Sequence, residues 1–107
     1  MHSPIQRAAP LLFWAAALGA VAPAAAQDAE LARNLAATCA NCHGTNGQAR
    51  GDMKVLAGAP AAKIVALMAD YKAGNQPATI MHQIAKGYTD EQIKLIAGYF
   101  AAQKTVK

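Results

Sequence analysis

Two cysteines stand three positions apart and a histidine follows the second at once: Cys39-Ala40-Asn41-Cys42-His43. They are the 2 cysteines of a 107-residue chain, so one short disulfide is the most they could form, and a loop that small stabilises little. A chain of this length makes one domain. Its first 26 residues read as an export signal: Arg7 gives the positive start, Leu11 to Val21 the apolar stretch, and Ala24-Ala25-Ala26 the small residues accepted before cleavage at Gln27. The alternative, an uncleaved anchor, needs about 20 apolar residues without breakers, whereas Pro10, Gly19 and Pro23 interrupt this segment. Residues 27–107 then form the mature domain, 81 residues long and carrying a net charge of +3 once Arg7 has left. That is close to the lower limit for a core that closes without a staple. Something other than side chains is expected to fill its centre.

Cys-x-x-Cys-His is the attachment signal for c-type haem. Two intervening residues let both sulfurs reach the vinyl groups on one side of a porphyrin, and the adjoining His43 then points at the iron. Cys39 and Cys42 are the expected thioether attachments and His43 the expected metal ligand. The pair has three other possible uses. A redox dithiol sits at a strand-to-helix junction, but Leu31–Thr38 has a helical pattern. A structural zinc ion wants four ligands, and beyond His43 the mature chain offers His82 as its other histidine. A plain disulfide adds little, as above. Haem is the reading that also supplies the missing core.

A single histidine leaves one axial position on the iron. A methionine there gives an electron-transfer site, and an open position favours ligand binding. Met53 is too near His43 to round the haem edge. Met68 lies on a helical stripe with Ile64, Leu67 and Tyr71 and reads as core filler. Met81, 38 residues beyond His43, is far enough along to reach the distal face. His82 is its competitor, and adjacent side chains point in different directions, so only one of the two can reach the metal.

The mature chain reads as three or four helices without a convincing strand. Asp28 is expected to cap the first, with Leu31 and Leu35 on one face leading to Cys39. Pro60 opens the second, which ends near Gly74. A short helix or turn covers Met81–Lys86 and closes at Gly87. Thr89-Asp90-Glu91-Gln92 is a capping box, with Tyr88 and Ile93 positioned as its hydrophobic staple. Ile93, Ile96, Ala97 and Phe100 then follow the helical period. Gly98 is expected where another helix crosses closely, that of Leu31–Thr38.

Cys39–Gly44, the Gly-rich loop after it, the Met81 segment and the last helix together resemble the small class I c-type cytochromes of bacteria. Leu56-Ala57-Gly58-Ala59-Pro60 and Pro77–Ile84, running into Ala85-Lys86-Gly87-Tyr88-Thr89-Asp90-Glu91-Gln92-Ile93, are similar to the cytochrome subunit of flavocytochrome c sulfide dehydrogenases. The resemblance implies an all-α class I cytochrome c fold around one covalently attached haem c. It implies Cys39 and Cys42 as attachments, His43 as proximal ligand, Met81 as distal ligand, and an FAD-containing partner that oxidises sulfide and passes on electrons. Two features depart from the pattern. Gly44–Ala59 has no proline, so Gly47–Gly51 is expected to supply the carbonyl that accepts from His43. The mature chain has no tryptophan, leaving Tyr71, Tyr88 or Arg50 for a haem propionate.

The function expected is therefore a periplasmic monohaem carrier of single electrons, not an enzyme by itself. A haem enzyme or gas-binding protein with an opening distal site is the alternative, and a thiol–disulfide oxidoreductase a third. Lys54, Lys72 and Lys86 are candidates to steer acidic redox partners. No basic run with interleaved aromatics points to nucleic acid, and no membrane span is expected after cleavage.

Overall fold

A computed structural model describes residues 24–105. Apart from its last three residues, the segment read as an export signal lies outside them. The described residues form four α-helices and no strand: α1 Ala24–His43, α2 Ala61–Ala73, α3 Met81–Lys86 and α4 Asp90–Ala101. A single 3-10 turn, Thr45–Gly47, follows α1.

α1 is already helical at Ala24, so Asp28 lies inside it and does not cap it. The run Ala24–Ala26 explains the difference, because alanine is the strongest helix former and carries the helix past the acidic residue. The inward stripe of α1 is Ala32 and Ala36, both buried, with Leu35 half-buried beside them. Leu31, expected inward, is 46% exposed. The stripe is centred on small side chains and turns Leu31 outward.

α2 begins one residue after Pro60, whose carbonyl accepts from Lys63 and Ile64. It ends at Gly74 in the left-handed conformation, a common helix terminator. Ile64, Met68 and Tyr71 are its buried face, so Met68 is core, as the stripe predicts. α4 has the expected capping box, with the Gln92 amide donating to Thr89 Oγ1 at 3.1 Å and the Thr89 amide to Gln92 Oε1 at 2.9 Å.

α4 is the centre of the fold and packs on both α1 and α2, while α2 also packs on α3. Ile93, Ile96, Ala97 and Phe100 are all buried, and they join Ala36, Ile64, Met68, Tyr71 and Ala85 in one apolar cluster drawn from all four helices. The α1–α4 crossing expected around Gly98 is made by alanines instead. Ala97 is fully buried, whereas Gly98 is exposed and a Cβ built on it would meet nothing within 4 Å. Among the described residues, no helix is long and apolar enough to cross a membrane.

Candidate haem site

The last turn of α1 carries Cys39, Cys42 and His43. The 3.6-residue period puts Cys39 on the same side as both of the others. Cys39 is half-buried and packed against the apolar cluster, Cys42 is exposed, and the two are not joined in a disulfide. Burial pushes the Cys39 thiol above its ordinary range, and the neighbouring Thr38 side chain and the Cys39 backbone offset part of that. Redox dithiols are activated at helix N-termini, where the helix dipole favours a thiolate. Here the pair stands at a C-terminus and one thiol is held neutral, so the oxidoreductase reading loses its chemistry. Among the described residues, no three His, Cys, Asp or Glu side chains gather as a metal cage would require.

His43 Nδ1 lies 2.8 Å from the Lys54 carbonyl oxygen. A carbonyl can only accept, so Nδ1 carries the hydrogen and Nε2 keeps the lone pair that a metal needs. The acceptor is thus Lys54 and not a residue of Gly47–Gly51. The reason lies in Gly47, whose φ of 77° folds the chain back on itself. Its carbonyl accepts from the amides of Leu56 at 3.0 Å and Ala57 at 3.1 Å, returning residues 54–57 alongside the end of α1. Tyr99 fixes the Thr45–Gly47 turn by donating its hydroxyl to Asn46 Oδ1 at 2.6 Å.

Met81 opens α3 and is half-buried against the same apolar cluster as Cys39. Its neighbour His82 donates from Nε2 to the Gln76 carbonyl, and its ring lies 6.2 Å from that of Tyr71. That bond ties His82 to the loop before α3 and leaves Nδ1 as its remaining ring nitrogen, while Met81 packs on the cluster that Cys39 also touches.

The large apolar side chains most exposed in the described chain are Leu31, Met53, Val55 and Ile80. Three of these four adjoin the site: Met53 and Val55 flank Lys54, and Ile80 precedes Met81. Exposed apolar side chains next in sequence to Lys54 and to Met81, with Cys39 and Met81 on one apolar cluster, suit a flat, mostly apolar ring with iron at its centre. The cofactor fits the residues present.

The lysines differ from expectation. Lys54 and Lys86 are exposed, but Lys72 donates to the Tyr88 carbonyl at 2.5 Å and pairs with Asp90 at 3.5 Å. Tyr88, a candidate for a haem propionate, has its hydroxyl 2.6 Å from Thr38 Oγ1, while Arg50 stands in the exposed part of the loop. Sequence reasoning overlooked Thr38, the Lys54 carbonyl and the role of Gly47. Asn-Gly at 46–47, a turn signal, was the available clue to the last of these.

An all-helical chain whose first helix ends in two thiols and an oriented imidazole has the donor set of a small haem protein. No family model matches the chain, but individual proteins do. It is 41% identical over 66 residues to the cytochrome subunit of sulfide dehydrogenase from Chlorobaculum tepidum, covering 62% of this chain and 60% of that one. It is 36% identical over 64 residues to cytochrome c-552 of Acidithiobacillus ferridurans, covering 60% of this chain and 28% of the relative. Cytochrome c-553 of Helicobacter pylori is 37% identical over 90 residues, which span 82% of this chain and 94% of the relative. The match thus takes in less than two thirds of the first two relatives' own length and nearly all of the third. The chain belongs to the c-type cytochromes, electron-transfer proteins whose cofactor is haem c.

Proposed function

We propose that this cytochrome is a periplasmic monohaem electron carrier. Its haem is joined through thioethers to Cys39 and Cys42 and ligated by His43 and Met81. The observation that carries the reading is the hydrogen bond from His43 Nδ1 to the Lys54 carbonyl, which fixes the ring and leaves Nε2 as the donor. When bound, the haem supplies a one-electron couple. The chain contributes its ligands, its apolar cover and the hydrogen bond that makes the imidazole a stronger donor. With both His43 and Met81 holding the iron, no position would remain on it for substrate, which favours a carrier over a haem enzyme or gas-binding protein. Residues 1–26 act as the export signal and residues 27–107 as the cytochrome c domain.

The donor is proposed to be a flavoprotein. The name of the Chlorobaculum tepidum relative, the cytochrome subunit of a sulfide dehydrogenase, supports this. Of the three lysines expected to frame the haem edge, Lys54 and Lys86 are exposed and would steer an acidic partner, with rates that fall as salt rises.

Mass spectrometry of protein made with export and haem-attachment machinery tests the cofactor assignment. The expected mass is that of residues 27–107 plus one haem, and bare apoprotein would overturn it. Met81→Ala is expected to keep the haem but lose the thioether-to-iron charge-transfer band. Retention of that band in Met81→Ala, together with its loss in Met68→Ala, would move the distal ligand to Met68. Co-purification of an FAD protein from native extracts is expected, and a monomeric cytochrome without a partner would sink the flavoprotein reading.

A further inference from the structure

The proposed ligands sit on two separate helices, with His43 ending α1 and Met81 opening α3. A residue just beyond α3 joins these helices. The Tyr88 hydroxyl lies 2.6 Å from Thr38 Oγ1, one position before Cys39. Thr38 donates its own hydroxyl hydrogen to the Leu35 carbonyl at 2.9 Å. With that hydrogen committed, Tyr88 is the donor and Thr38 the acceptor. The Tyr88 amide donates to the Ala85 carbonyl at 3.3 Å, which ties it to the end of α3. Its own carbonyl accepts from Lys72 Nζ at 2.5 Å, which ties it to α2. Lys72 in turn pairs with Asp90 in the first turn of α4. Tyr88 is therefore fixed to α1 through its hydroxyl and to α2 and α3 through its backbone.

We propose that Tyr88 is a positioning residue: its hydrogen bond to Thr38 holds the Met81-bearing α3 against the Cys39–His43 turn and sets how readily an outside ligand displaces Met81. The proposal rests on Met81 being the distal ligand. A short helix of six residues has little stability of its own, so its orientation depends on such ties. Breaking this one lets α3 swing away at smaller cost, which favours any state in which the Met81 sulfur has left the iron.

The test uses the holoprotein carrying Tyr88→Phe, which keeps the ring in the apolar cluster and the backbone ties to α2 and α3. Imidazole titration of the ferric protein, followed by loss of the thioether-to-iron band, reads the displacement of Met81. Loss of one hydrogen bond is expected to tighten imidazole binding roughly five-fold. Thr38→Val should give the same change, and the double variant no more than either alone. Gln103→Ala serves as control, since it removes a 2.9 Å hydrogen bond to the Tyr99 carbonyl at the end of α4 and should leave imidazole affinity within about two-fold. Unchanged affinity in Tyr88→Phe, or an equal rise in Gln103→Ala, overturns the proposal. The ligand assignment is checked separately. If Met81→Ala keeps the thioether band, that assignment fails and the proposal falls with it. If Met81→Ala loses the band while Tyr88→Phe is silent, only the positioning role is lost.

Discussion

Gly47 offers a sharp test of how the loop orients His43. Its φ is +77°, and an ideal Cβ built there would stand 2.7 Å from the Ala57 amide nitrogen, 2.8 Å from Phe100 Cδ1 and 2.9 Å from Leu56 Cβ. None of these can yield cheaply. One is backbone, and the Phe100 side chain is fully buried. The left-handed conformation alone costs an alanine about 1–2 kcal/mol. Relieving the contacts also moves the Gly47 carbonyl, which accepts from the amides of Ala49, Leu56 and Ala57 at 3.1, 3.0 and 3.1 Å. Weakening two or three such bonds adds about 2–3 kcal/mol. Gly47→Ala is therefore expected to lower stability by about 3–5 kcal/mol, a large part of what a small domain has.

Gly51 is the natural control. It also has a left-handed φ of +63°, but its Cβ would meet nothing within 4 Å. Gly51→Ala should lose about 1 kcal/mol, because the unfolded chain is stiffened as well. Guanidinium chloride unfolding of the two holoproteins, followed by helical circular dichroism, gives the comparison. A potentiometric titration adds a functional readout. With His43 as the proposed iron ligand, pulling Lys54 from its Nδ1 would weaken the imidazole as a donor, and the midpoint potential is expected to rise. Equal losses of stability in the two variants would refute the packing argument. A destabilised Gly47→Ala with an unchanged potential would show that the loop closure does not govern His43.

Gly98→Ala is expected to raise stability by up to about 1 kcal/mol, since an added methyl meets open space; destabilisation on thermal melting would show that another surface covers α4 there. In apoprotein, iodoacetamide at neutral pH should modify exposed Cys42 well before Cys39. Equal rates would mean that the last turn of α1 does not form without haem. The raised Cys39 pKa also carries a sign: the stability it contributes is present below the ordinary thiol pKa and is lost as alkaline pH ionises the unfolded thiol first. Apoprotein unfolding midpoints should therefore fall on the alkaline side, and a Cys39→Ser variant should show a smaller fall.

Local signals were the most legible part of this chain. The Thr89–Gln92 capping box and the spacing of Ile93, Ile96, Ala97 and Phe100 determine α4 without help from the rest of the fold, and all were found as expected. The order Cys39, Cys42, His43 is likewise a local signal, because it is read from spacing along one stretch of helix. Features that depend on distant partners were not legible. The acceptor for His43 depends on where a loop returns, and that return is set by contacts of Gly47 with Leu56 and Ala57. Asp28 looked like a cap because caps are judged from a few residues, whereas the alanines before it had already set the helix going. Gly98 suggested a close crossing, but alanines at 32, 36 and 97 are small enough to make it. Lys72 carried no mark distinguishing a steering cation from one tied to Tyr88 and Asp90.

The meeting of α1 with α4 also bears on the order in which the molecule is assembled. The chain's earliest described helix completes its packing only against its last, so the interior cannot seal until residue 100 has arrived. The two thiols belong to the early part, and they face their surroundings on an open polypeptide throughout that interval. Docking of the final helix covers Cys39, which packs against that interior, whereas Cys42 stays exposed in the folded chain.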